Sequence, residues 1–169
     1  FRFNELSRIK SSDIAFFNTH VNIFVEKSKT DKYRDGSLVT ISRSGGNTCP
    51  VATLERYLDL CNISESSDEY IFRSLTKLNV GFCLKSHNAP ISYTRAREVF
   101  LELLSEVVDN TSKYGLHSLL SGGATLAANR GIPDRLLKKH GRWVSDTAKD
   151  SYIKEAIASK LNVSKSLGL

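Results

Sequence analysis

The chain has no methionine, and its three cysteines and four histidines are scattered. Each scarcity excludes something. Cys49, Cys61 and Cys83 are odd in number and widely spaced, which argues against a disulfide framework or a zinc site. Three unpatterned thiols fit a reduced, intracellular setting. The histidines have no metal-ligand spacing, so neither a metal nor another cofactor is expected. No apolar run approaches the roughly 20 residues that span a bilayer, and no signal-peptide pattern is present. No internal repeat or low-complexity linker interrupts the sequence. A length of 169 residues suits one domain able to bury a proper core. Beginning at Phe1 and lacking methionine, the chain reads as a fragment, with Arg2 at the cut edge of a longer helix.

What is present is positive charge, unevenly spread. The formal net charge is +6. From Lys113 to Lys149 there are seven Lys and Arg against two Asp and Glu, whereas from Val51 to Asn110 there are six against nine. A basic face opposite an acidic one suits a polyanionic partner, and a solvated basic surface is the plainer alternative.

Arg2 to Ile9 reads as the end of a helix, closed by Ser11-Ser12-Asp13. Ala15–Phe17 and Val21–Val25 are β-branched or aromatic segments, Asp35-Gly36 is a turn signal, and Ser37–Ser42 alternates again. Together these predict a three-stranded antiparallel sheet. Pro50 suits the first turn of a helix running to about Leu60. Tyr70-Ile71-Phe72 is a short extended piece, and Asn79 to Pro90 is expected to be loop. Ser92 or Thr94 caps a helix whose Val99, Phe100, Leu103, Leu104, Val107 and Val108 recur at helical spacing. Further helices are expected over Leu116–Asn129, Pro133 to about Lys139, Asp146–Ile153 and Lys154–Val163. The fold class is mixed α+β and mostly α-helical.

Breaking a phosphodiester without metal requires a nucleophile, cations at the non-bridging oxygens and an acid for the leaving oxygen. Tyrosine can be the nucleophile, forming a phosphotyrosine. Arginine grips phosphate bidentately with its planar fork. A lysine of lowered pKa can be the acid. Tyr152, Arg2, Lys29 and His117 are residues of these types. Periodicity alone does not select them from six tyrosines and 24 Lys and Arg.

A resemblance does. Tyr152 stands nine residues after Trp143, and His117 stands 26 residues before Trp143, opening His117-Ser118-Leu119-Leu120. Arg2-Phe3-Asn4-Glu5 lies at the other end. In that order the chain resembles the catalytic domain of the tyrosine recombinases, the phage-integrase family, over essentially its whole length. The wording Lys139-His140-Gly141-Arg142-Trp143, with Ala148-Lys149-Asp150, is most similar to recombinases of eukaryotic mobile elements.

The resemblance implies an integrase-like catalytic core over residues 1–169, without the family's N-terminal core-binding domain. It implies strand cleavage and rejoining through a 3′-phosphotyrosine at Tyr152. Arg2 would bind the scissile phosphate, supported by Glu5, and Lys29 would protonate the departing 5′-oxygen, a role for which Lys27 and Lys32 compete. His117 and Trp143 would complete the site, Trp143 serving partly as a core anchor. Lys138, Lys139, His140 and Arg142 would contact DNA, His140 alternatively being structural. The partners would be DNA and three further copies of the chain, docked through the tail helix of residues 154–169, with no small-molecule substrate and no membrane. In a eukaryote the location would be the nucleus. Arg2, Lys29, His117, Trp143 and Tyr152 are expected to converge on one basic concavity.

One position departs from the family pattern. Where the family has a second phosphate-binding arginine, three residues after the histidine, this chain has Leu120. Leucine brings neither donor nor charge. Arg130 lies about 15 Å further along the same helix, and Arg142 is the other candidate substitute. Two readings therefore stand beside an impaired recombinase: a non-catalytic DNA-binding protein derived from one, and a helical protein-interaction domain.

Overall fold

The structure, a computed structural model, describes residues 1–27, 35–155 and 157–168. The chain divides into two compact units, Arg2–Val99 and Phe100–Leu169, Phe1 belonging with the second.

The first unit opens with a short helix, α1 (Phe3–Leu6), and a single 3₁₀ turn at Ser11–Asp13. The sequence suggested a longer helix to Ile9. It stops early because Lys10 pairs with Tyr70 in an isolated antiparallel bridge, which draws the chain into extended form. Three strands follow, β1 (Ile14–Phe16), β2 (His20–Val25) and β3 (Ser37–Ser42), forming an antiparallel sheet in the order β1-β2-β3. Val21, Ile23 and Val25 alternate along the central strand and all point into the core, as one buried face demands. They share that core with Ile9, Val39, Val51, Leu58, Ile63 and Ile71. Pro50 begins α2 (Pro50–Leu60), where a missing N–H costs nothing.

The segment Asn79 to Pro90, expected to be loop, contains a strand, β5 (Phe82–Leu84), which pairs with β4 (Leu75–Lys77) in a second, two-stranded sheet. Three-residue strands are too short to leave a period in the sequence. The next helix, α3 (Tyr93–Leu104), is capped by the Ser92 hydroxyl, which accepts from the Arg95 N–H at 3.2 Å. It ends before Val107, and none of its residues is fully buried, so the apolar stripe read from the sequence stays partly open to solvent.

The second unit is helical: α4 (Leu116–Asn129), α5 (Asp134–Gly141), α6 (Asp146–Asp150) and the tail helix α7 (Ile157–Ser166). The predicted helix over Asp146–Ile153 is shorter than expected and gives way to a turn at Ser151 and Tyr152. Its core is Ala124, Leu137 and Trp143, with Leu120, Ala127, Ala128, Tyr152 and Ile153 packed around them. α5 ends in a left-handed residue, Arg142 at φ 55°, and the Trp143 N–H donates to the Lys138 carbonyl at 3.1 Å. That six-to-one bond turns the chain back and swings the indole over Gly141. A Cβ on Gly141 would lie 2.0 Å from the indole ring, so only glycine admits this approach. No described helix is long and apolar enough to cross a membrane.

Candidate active site

In the second unit two rings lie against Tyr152. The His117 ring lies 6.1 Å from it, nearly parallel at 26°, and the Trp143 ring lies 5.6 Å away, tilted by 40°. Separations of this kind are those of attractive aromatic pairs. Helical periodicity explains why α4 can serve this cluster. His117, Leu120, Ser121, Ala124 and Thr125 fall at positions i, i+3, i+4, i+7 and i+8, hence on one face.

That face also holds the backbone that carries Tyr152. The Ser121 hydroxyl donates to the Tyr152 carbonyl at 2.6 Å, and the Thr125 hydroxyl donates to the same oxygen at 3.3 Å. Thr125 Oγ1 in turn accepts from the Lys154 N–H at 3.0 Å. The main chain is thus tied to α4 at the Tyr152 carbonyl and again two residues beyond it. No hydrogen bond engages its phenolic oxygen among the described residues.

Lys149 secures the other flank. Its side chain is only 2% exposed, and its ammonium pairs with Asp134, at the start of α5, and with Asp150 at 3.0 Å. The hydrogen bond that it donates to Asp134 is the largest influence raising its pKa above the ordinary 10.5. Lys149 therefore pins α6 to α5 and, through the Tyr152 N–H donating to its carbonyl at 3.0 Å, fixes where Tyr152 starts. Ser121, Thr125 and Lys149 escaped the reading of the sequence. The signal for the first two was their shared helical face with His117.

Leu120 is half-buried and leans on the Ala124–Leu137–Trp143 core beside Tyr152. Its environment is apolar packing, and it supplies no donor. Trp143 is buried, and its indole N–H has no hydrogen-bond partner among the described residues. Of the expected DNA contacts, Lys138 pairs with Asp146 at 3.0 Å, while Lys139 and His140 are exposed on the last turn of α5. Desolvation, then the nearby Arg142 guanidinium and the chain's amino terminus, lower the His140 pKa, so it is predominantly neutral at pH 7. The Arg142 guanidinium lies over the Phe1 ring, 5.3 Å from its centre.

In the first unit Arg2 pairs with Glu5. The Arg2 N–H donates to Glu5 Oε2 at 2.8 Å, and its Nη1 donates to Oε1 at 3.0 Å. Glu5 is buried, and the pair both caps α1 and orients the guanidinium. Lys29 and Lys32, two candidates for the acid, lie outside the described residues; Lys27 is within reach of Glu26 at 3.6 Å. Among the described residues no group of three or more His, Cys, Asp or Glu is placed to hold a metal ion. Of the five expected site residues, then, His117, Trp143 and Tyr152 are brought together, and Arg2 is seen with Glu5 in the other unit.

No protein-family model and no curated protein matches the chain. Among solved structures it is similar to the crystal structure of XerA recombinase, with a TM-score of 0.69 at 19% sequence identity. The match covers 98% of this chain and 51% of that one, so this chain spans about half the length of that protein and shares the fold of that half.

Proposed function

We propose that this chain is a DNA-binding recombinase domain whose strand-cleavage chemistry is weakened at Leu120. The observation that carries the proposal is the placement of Tyr152, backbone-tied to α4 between the rings of His117 and Trp143, in a chain with a recombinase fold.

In the reaction, the Tyr152 phenol releases its proton to solvent as its oxygen attacks the scissile phosphorus, and the bond to the 5′-oxygen breaks. The phosphate stays on the protein as a 3′-phosphotyrosine, and the departing 5′-oxygen takes a proton from Lys29 or a neighbouring lysine. Rejoining reverses these steps. Arg2, oriented by Glu5, would neutralise one non-bridging oxygen. His117 and the Trp143 indole N–H, which has no partner among the described residues, would be donors for the other. Lys138, Lys139, His140 and Arg142 would grip flanking phosphates. No metal or nucleotide takes part in these steps.

By the same reading the domain acts as a tetramer on paired DNA sites, α7 docking on a neighbouring copy. Its wording around Trp143 aligns it with recombinases of eukaryotic mobile elements, which act in the nucleus. The second reading, a DNA-binding domain that no longer cuts, is favoured by one observation: Leu120 is built into the apolar packing. The deciding experiment is covalent trapping on nicked duplex DNA, using a protein that includes an N-terminal clamp domain. An adduct that disappears with Tyr152→Phe supports cleavage. Salt-dependent DNA binding without an adduct supports the second reading, and no DNA binding at low salt sinks both.

A further inference from the structure

The acidic balance of residues 51–110 conceals a basic stretch that lies in the first unit. All nine of its carboxylates lie before Tyr70 or after Arg97, and from Tyr70 through Arg97 there are five Lys and Arg and no Asp or Glu. The β4–β5 hairpin stands in the middle of this stretch. Its ladder runs from the Lys85 N–H, which donates to the Ser74 carbonyl at 2.9 Å, to the Leu78 N–H, which donates to the Gly81 carbonyl at 3.0 Å. Gly81 takes the positive φ, 83°, that closes so tight a turn.

The pairing Leu75 with Leu84 and Lys77 with Phe82 puts these four on one face of the ribbon. Lys85, one residue beyond Leu84, falls on the opposite face with Thr76 and Cys83. Both lysines are exposed, and neither joins an ion pair among the described residues. At the tip Val80 is 90% exposed, and on Lys77's face Phe82 is 66% exposed. A free ribbon that presents this much apolar surface has a partner surface to match.

Resting on the reading of the chain as a DNA-binding domain, we propose that the β4–β5 hairpin enters the major groove of duplex DNA. The groove is wide enough for a two-stranded ribbon. Its two phosphate walls complement a cation on each face, Lys77 toward one strand and Lys85 toward the other. The apolar tip, Leu78 and Val80, then meets the groove floor, where thymine methyl groups offer apolar contact. A flat anionic membrane suits cations gathered on one side, whereas here they are divided between the two faces.

The test is fluorescence anisotropy of the full chain with a labelled mixed-sequence duplex across a salt series. Lys77→Ala with Lys85→Ala should lower the slope of log affinity against log salt by about 1.8, about 0.9 for each phosphate lost. Leu78→Ser with Val80→Ser should weaken binding about tenfold by removing apolar burial while leaving the slope unchanged. All four side chains are exposed, and circular dichroism verifies that the variants fold. If the unaltered chain binds steeply with salt and both variants match it, the hairpin proposal fails and the DNA-binding reading survives. If the unaltered chain does not bind, both fail. Equal binding of the unaltered chain to anionic vesicles, lost in the variants, would assign the hairpin to a membrane surface and overturn the proposal.

Discussion

The Ser121 hydroxyl and the Tyr152 carbonyl are 2.6 Å apart, so α4 holds the candidate nucleophile by its main chain while its phenol carries no hydrogen bond among the described residues. With Thr125 on the same oxygen, this is a doubly donated carbonyl. Ser121→Ala with Thr125→Val should cost about 1 kcal/mol for each lost hydrogen bond. In a cleaving background the double variant should form covalent adduct more slowly with DNA affinity unchanged. An unaltered adduct rate would show that positioning does not pass through these hydroxyls.

On the proposed reading, Leu120 sets the size of the chemical deficit. Losing an arginine that stabilises a transferring phosphate costs about 10³–10⁵ in rate, equivalent to about 4–7 kcal/mol of barrier. Leu120→Arg should recover much of this, because the arginine stem can cover the Ala124–Trp143 core while its head reaches out. Uncut DNA should bind almost as before, one phosphate contact being a small part of the total. Adduct should appear with Leu120→Arg and vanish when Tyr152→Phe is added. Equal adduct from the unaltered chain would mean that another cation already serves, Arg142 first.

Gly141→Ala should destabilise the second unit by about 1–3 kcal/mol, since the added methyl overlaps the indole. Trp143 is the chain's one tryptophan, so its fluorescence reports this site alone. A melting curve superimposable on that of the unaltered chain would contradict the close approach.

Lys149 makes the α5–α6 tie sensitive to alkali. Its pKa is raised in the folded chain, mainly by the hydrogen bond it donates to Asp134, above the ordinary 10.5. The ammonium's stabilisation is therefore fully present below about 10.5 and is lost as pH rises through the folded value. The unaltered chain should melt above Lys149→Met at neutral pH, and the difference should shrink only in that alkaline window. A difference that shrinks between pH 6 and 9 would implicate another group.

Several elements were legible because their signals are local. Pro50 fixed the start of α2, the alternation of Ser37–Ser42 gave β3, and the apolar run from Leu116 with Gly131 beyond it bounded α4. The β4–β5 hairpin left no such signal, since a three-residue strand is shorter than the windows in which periods can be counted. In the candidate site, His117, Trp143 and Tyr152 were selected by spacing that resembles a family, and chemistry alone would not have chosen them. Ser121 and Thr125 were passed over for a different reason. They act on a carbonyl, and every residue has one.

That last point reaches beyond geometry. The tie between α4 and residue 152 reads no side chain at position 152, only its backbone. Selection for folding would therefore tolerate phenylalanine there as readily as tyrosine. A lineage that stopped cutting DNA could keep this architecture indefinitely, and the difference between a working copy and a retired one would rest on a single phenolic oxygen and on position 120.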